Sequence, residues 1–250
     1  MTDSRPPERL LTNIYLKTRG DEPPPADESC YYLLTGSGLF IGRNQPHMRS
    51  LVPARNWPGE LEPQEPLLTL RYPKVPAELL GRIVGFFWTV AQRHGAEAAI
   101  LLAFDDASQR ITPIVPDQVG TIGCGWRGEP YPIGLHYEIP IHLDDGLRII
   151  GDIHSHAFEP AYASSIDIHD EVHRPGLHVV AGRLDRDPPD WHAEYVVDGT
   201  RFQYAPESVL DLEGYAGRTV PAEAEWLDRL EVIPAAEYAR ERASNGNRTP

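Results

Sequence analysis

The chain has 250 residues, 41% of them hydrophobic and 24% charged, and a formal net charge of −14. It holds no run of about eighteen apolar residues, which excludes a membrane-spanning helix, and the acidic balance argues against a binder of nucleic-acid phosphates, which needs clustered Lys and Arg. Two distant cysteines, Cys30 and Cys124, make neither a disulfide framework nor a CxxC metal motif, so a reducing cytoplasm is the expected location.

In chain order, residues 1–29 read as an N-terminal extension without a signal-peptide apolar segment, ending in the acidic proline run DEPPPADES, an extended linker. Residues 31–44 hold two β-type runs around Thr35-Gly36-Ser37-Gly38, a hairpin signal. Residues 45–76 are proline-rich and are expected to wrap the surface. The spacing of Leu79, Leu80, Ile83, Val84, Phe87, Trp88, Val90 and Ala91 predicts a helix over 77–94 with one face on a sheet. Pro76 near its first turn and Gly95 past its end fit that helix.

Residues 97–104 and 111–116 read as strands, and the glycine- and proline-rich stretch 117–134 as a long loop. Strands follow at 137–143, 147–156, 177–184, 191–197 and 200–205, with a short helix over about 165–173. Helices are expected at 222–232 and 235–242, before a frayed tail, SNGNRTP. Central strands with flanking helices predict a mixed α/β domain.

The chemistry concentrates in GDIHSHAFEPAYASSIDIHDE, residues 151–171. Strand side chains alternate, so His154 and His156 project from the same face while Ile153 and Ser155 point the other way. Asp167 follows at the start of a predicted helix that the loop 157–163 can fold back over the strand end. Two imidazoles and a carboxylate suit zinc, and three protein ligands leave a fourth position for water. Ser164, three residues before Asp167, is placed to donate to a developing oxyanion. Alone, Ser164-x-x-Asp167 reads as a helix cap; with His-x-His seven residues earlier the pattern is far more specific.

The pattern His154-Ser155-His156, seven residues, Ser164-x-x-Asp167 resembles the JAMM motif of the MPN-plus, or Jab-type, zinc metallopeptidases. The resemblance covers about 75–205. It implies a mixed α/β, cytidine-deaminase-like fold whose central, mostly mixed or antiparallel sheet is flanked by helices. It implies one Zn2+ per chain on His154, His156 and Asp167, with Ser164 supporting the oxyanion. The family's upstream glutamate begins a strand after a long helix, commonly as Glu-x-x-Gly-Leu-Leu. Glu97-Ala-Ala-Ile-Leu-Leu matches that context, making Glu97 the general base and acid, with Glu138 the next candidate. The chain departs from the family at Ala157, where many members carry Pro, and at Ile100, where Gly is usual.

His169 and His173 on the short helix, His142, and Asp170 are expected in surface or supporting roles, and Asp152 behind the ligands at most. Trp126 reads equally as a substrate contact or a packing anchor. The resulting organisation is an extension and linker at 1–29, a β-rich segment at 30–73, a catalytic domain at 74–205 and a helical extension at 206–250.

Family members mostly cleave the isopeptide bond between a ubiquitin-like protein and lysine, and bacterial relatives occur beside ubiquitin-like proteins with their activating and conjugating enzymes. The resemblance therefore implies a cytoplasmic zinc peptidase cutting the amide bond at the C-terminus of a ubiquitin-like protein, by deconjugation or precursor processing. An extended modifier tail would add as a strand, with 117–136 as the clamp. The alternative is a non-catalytic MPN scaffold, although the ligands such scaffolds usually lack are all present. A DNA-repair-associated relative fits less well, because its His-Asn-His-Pro-Ser-Gly-Asp-Pro run is missing.

Overall fold

The structure is a computed structural model and describes residues 12–20, 28–59, 61–140, 142–144 and 146–246, with 241–246 described by backbone only. Most of the linker and the end of the frayed tail, at 21–27 and 247–250, lie outside the described residues, as do 1–11. The chain divides into two compact units, Met1–Leu67 and Leu68–Pro250.

The first unit is a four-stranded sheet in the order β1-β2-β3-β4, from β1 (Ile14–Leu16), β2 (Cys30–Thr35), β3 (Gly38–Gln45) and β4 (Met48–Pro53). The β2–β3 hairpin closes where Thr35 pairs with Gly38, at the turn its glycines signalled. Strand β4 corrects the expectation that 45–76 only wraps the surface. Pro46 and His47 turn the chain so that Met48 pairs back onto Gln45. Pro53 is tolerated because it ends an edge strand, where no ladder N–H is required.

The second unit begins with α1 (Ala77–His94), followed by β5 (Ala99–Asp105), β6 (Arg110–Ile114), β7 (Gln118–Cys124), β8 (Pro130–Tyr137) and β9 (Leu147–Ser155). Then come α2 (Ser165–Glu171), β10 (Gly176–Gly182), β11 (Asp190–Val197), β12 (Thr200–Tyr204), α3 (Pro206–Val209), α4 (Ala224–Leu227), β13 (Leu230–Pro234) and α5 (Ala235–Gly246). Six strands form a mixed sheet, β12-β11-β10-β9-β5-β6, and three form a second, β13-β7-β8. In the larger sheet only β9 and β10 pair in parallel. The architecture is mixed α/β.

Helix α1 is buried on more than one face. Its Ile83, Val84, Phe86, Phe87 and Val90 are fully buried with Ile100, Leu102, Ile153, Leu177 and Val179 of the sheet. Elsewhere on the helix, Gly81 and Gly85 let residues 217–219 approach; a Cβ on Gly85 would overlap the Thr219 carbonyl oxygen. Gly95 ends the helix in the left-handed region, φ 63°, with its N–H on the Ala91 oxygen.

Three further expectations are corrected. Residues 117–134 are a hairpin, β7–β8, rather than a loop. Pro130 and Pro132 sit on β8, an edge strand where a missing N–H costs no ladder bond, and the register shifts near Pro132. The strand expected over 137–143 is not found among the described residues: β8 ends at Tyr137, and Pro140 lacks the donor to extend it. The helix expected over 222–232 is one turn, α4, before β13, which pairs in parallel with β7 and sets Leu230 and Val232 against the core. Burial against a sheet edge outweighs the helical pattern of that stretch.

The pairing fixes two faces. Ile100, Ile153 and Val179 are neighbours on the face that packs with α1. Ala99 lies opposite His154, Leu101 opposite Asp152, Asp152 opposite His178, and His154 opposite Val180. Those residues make the other face, where the polar site lies. Beside it, Ile150 is the extra residue of a bulge, since Leu102 pairs with Gly151 and Ala103 with Ile149. Gly151 has φ 155°, and a Cβ there would overlap the Leu177 carbonyl oxygen. Bulges of this kind re-aim side chains beside active sites.

Candidate active site

Strand β9 delivers His154, and His156 just past its end, to one side, as alternation requires, with ring centroids 5.3 Å apart. Both are buried, at 7% and 6% exposure. Helix α2 lies over them. Ser164 caps it: its hydroxyl accepts from the Asp167 N–H at 3.2 Å, and Asp167 Oδ2 accepts from the Ser164 N–H at 2.7 Å. This reciprocal box satisfies two helix-end donors and locks the Asp167 carboxylate in place. Asp167 Oδ1 lies 3.5 Å from His154 Nε2, and Oδ2 lies 3.4 Å from His156 Nε2.

One donor atom from each of His154, His156 and Asp167 falls within 4.8 Å of the others. The chemistry of this set fits a divalent cation. His154 Nε2 is buried with no hydrogen-bond partner, although it faces a carboxylate. Burial alone would favour neutral His154, yet Asp152 and Asp167 on its two sides push its pKa up to about 10. Burial likewise opposes ionisation of Asp167, and His154 and His156 outweigh it, holding the carboxyl well below its ordinary range. A site that draws a proton between buried imidazoles and a carboxylate is one a cation can fill, releasing that proton.

Glu97 lies just before β5, two residues ahead of Ala99, which pairs with His154. It is half-buried and lines the same cleft as His154, His156, Ser164 and Asp167, a space of about 800 Å³. Burial raises its pKa, with His156 and His154 opposing. Ser155, turned away from the cleft, holds this segment: its Oγ accepts from the Ala98 N–H at 3.2 Å, and its own N–H donates to the Ala98 oxygen at 3.0 Å. Gln118 continues the grip, its amide bonding the Ala99 N–H and C=O at 2.7 and 3.0 Å.

Glu138, His169, Asp170 and His173 also line the cleft, on its exposed walls. His142 is exposed and outside any strand. Trp126 stands at the tip of the β7–β8 hairpin, 84% exposed and stacked with Arg127 at 4.4 Å, and is not among the cleft-lining residues. Tyr162 packs edge-on against His156, with centroids 4.9 Å apart. Sequence reasoning missed His178 and Arg174, which contact Asp152, and Glu171 at the end of α2, which lies beside His178. The available signal was His178 in the apolar strand LHVVA, since a polar group there must find a partner.

Ala157 has φ 47°, a value the proline ring forbids. Its side chain is buried, at 2% exposure. Ala157→Gly relieves about 1 kcal/mol of left-handed strain and loses about 0.8 kcal/mol of methyl burial, so its stability is expected to stay within about 0.5 kcal/mol of the parent. Ala157→Pro is expected to lose at least about 2 kcal/mol, because both φ and the turn fail. Urea unfolding of the two variants checks this order, and a Pro variant as stable as the parent would refute the assigned backbone.

No protein-family model matches the chain, and no curated protein matches it. Among solved structures it is similar to a JAB1/MPN domain protein from Archaeoglobus fulgidus, with 17% identity and a TM-score of 0.30 over 53% of this chain and 94% of that one. It is also similar to a protein from Salinibacter ruber solved in solution, with 16% identity and a TM-score of 0.31 over 59% of this chain and 92% of that one. Among the described residues, no helix is long and apolar enough to cross a membrane.

Proposed function

We propose that the second unit is a JAMM-type zinc peptidase that hydrolyses the amide bond at the C-terminus of a ubiquitin-like protein, as a deconjugating or precursor-processing enzyme. The observation that supports this reading is that Glu97, His154, His156, Ser164 and Asp167, the five residues of the motif resemblance, line one cleft. His154, His156 and Asp167 would hold the zinc. When bound, zinc supplies Lewis acidity, polarising a carbonyl oxygen and making a coordinated water acidic near neutral pH.

The protein's own groups do the rest. Glu97, half-buried with a raised pKa, accepts a proton from the attacking water at its carboxylate and returns it to the leaving amine. The Ser164 oxygen accepts from the Asp167 N–H, which leaves its own hydroxyl proton to donate to the substrate's developing oxyanion. Strand β8 lies at the edge of its sheet, and residues 132–137 of it line the cleft. Its outer edge suits an extended modifier tail added as a further strand.

The test is to incubate the full chain with ubiquitin-like proteins of the same genome, as C-terminal fusions and as lysine conjugates. Mass spectrometry would read the products, with and without a zinc chelator. Cleavage after the modifier's last residue, lost with chelator and restored by zinc, supports the proposal. A zinc-loaded chain that cleaves none of them favours the non-catalytic scaffold.

A further inference from the structure

Behind His154, on the side away from Asp167, lies a buried group of charges that the proposed chemistry does not use. Asp152 is two residues before His154 on β9 and therefore on the same face. Its side chain is 3% exposed. Asp152 Oδ2 is 3.0 Å from His178 Nδ1 and 3.6 Å from the Arg174 guanidinium. The other ring nitrogen of His178 is 2.8 Å from the Arg174 carbonyl oxygen. The imidazole is thus held at both of its nitrogens, between a side chain of β9 and the backbone after α2. Glu171 lies 3.8 Å from His178 and is tied to Arg201 at 2.6 Å.

Helix and strand spacing make this group continuous with the ligands. Asp167 and Glu171 are four residues apart on α2, a rise of about 6 Å, and His154 and Asp152 are two apart on β9, about 6.6 Å. The helix thus sets the Asp167 carboxylate beside His154 and the Glu171 carboxylate beside His178. One oxygen of Asp152 is left over: Oδ1 is buried without a hydrogen-bond partner and lies 3.7 Å from His154 Nδ1. His154 Nε2, the atom facing Asp167, is the other unpartnered atom on this line.

We infer that Asp152 is a positioning residue, held in place by His178 and Arg174, that keeps the proton of His154 on Nδ1 and so presents Nε2 to the metal. This rests on the zinc reading above and extends it to residues outside the motif. A carboxylate behind a ligating imidazole sets its tautomer and makes it a better donor, and losing such a partner costs roughly 10–100-fold in metal affinity.

The experiment compares the full-length chain with Asp152→Asn and, as a control, His156→Ala, measuring zinc affinity at 25 °C by competition with a chromophoric chelator. Asp152→Asn is expected to bind roughly 10–100-fold more weakly than the parent, and His156→Ala to lose the site. A purely structural Asp152 would lower the melting temperature and leave the affinity unchanged. Equal affinity overturns this inference while the zinc reading stands; a parent chain that binds no zinc overturns both. If Asp152→Asn does not fold, ring-15N-labelled histidine in the zinc-loaded parent decides. A His154 proton on Nδ1 with metal on Nε2 supports the assignment, and the opposite arrangement overturns it.

Discussion

Glu97→Gln is expected to keep one zinc per chain and to lose cleavage by roughly 10²–10⁴-fold, the range for removing a positioned acid–base group. The substitution keeps the size of the side chain and removes its charge and its ability to exchange a proton. Glu97 stands outside the three residues whose donor atoms cluster for a cation, so the metal should stay. Its position is held from two sides, by Ser155 on Ala98 and by Gln118 on Ala99, and the folded segment should not shift. Burial raises its pKa against the opposing pull of His156 and His154, which brings a carboxyl closer to the working range of a general base. The measurement is kcat on a cleavable modifier fusion, with zinc content taken on the same sample. Normal turnover by the variant would move the acid–base role elsewhere, and Glu138, on the exposed wall of the cleft, would be the next residue to substitute.

His156→Ala carries the other large effect. If His156 is one of the three proposed zinc ligands, its removal is expected to take zinc content from one per chain to near zero and cleavage down by at least about a thousandfold. A metal's stabilisation of charge amounts to several kcal/mol, and each 1.36 kcal/mol is about a factor of ten in rate. His156 is the better probe of the two imidazoles. His154 stands between Asp167 and Asp152, so its loss would strand buried charge, whereas His156 meets Asp167 Oδ2 at 3.4 Å and otherwise packs on Tyr162. Thermal unfolding supplies a readout free of any substrate. Zinc at about a hundred times its dissociation constant should stabilise the parent by about 2.7 kcal/mol and leave the variant unmoved. A variant that retains a full equivalent of zinc and its turnover would remove His156 from the site.

The parts of the site legible in the sequence are those set by local periodicity. Alternation along β9 is enough to put His154 and His156 on one face, and a serine three residues before an aspartate is enough to start α2 at Ser164. Helix α1 is equally local, because its apolar spacing and Gly95 lie in one stretch. Glu97 was reachable only through the motif resemblance; nothing in its own neighbourhood distinguishes it from a strand-end surface carboxylate.

What tertiary structure decided depends on residues far apart in the chain. Glycine and proline suppress the strand propensity of the β7–β8 hairpin, and only the edge position in the sheet makes Pro130 and Pro132 acceptable. Strand β13 exists because β7 offers it a ladder, which a propensity window does not contain. Asp152 and His178 are 26 residues apart and meet through the parallel register of β9 and β10. The sequence by itself therefore determined which residues share a face within one strand or one turn, since backbone geometry alone sets that. Only the tertiary structure decided which faces meet, because strand pairing and burial are free energies of the whole chain.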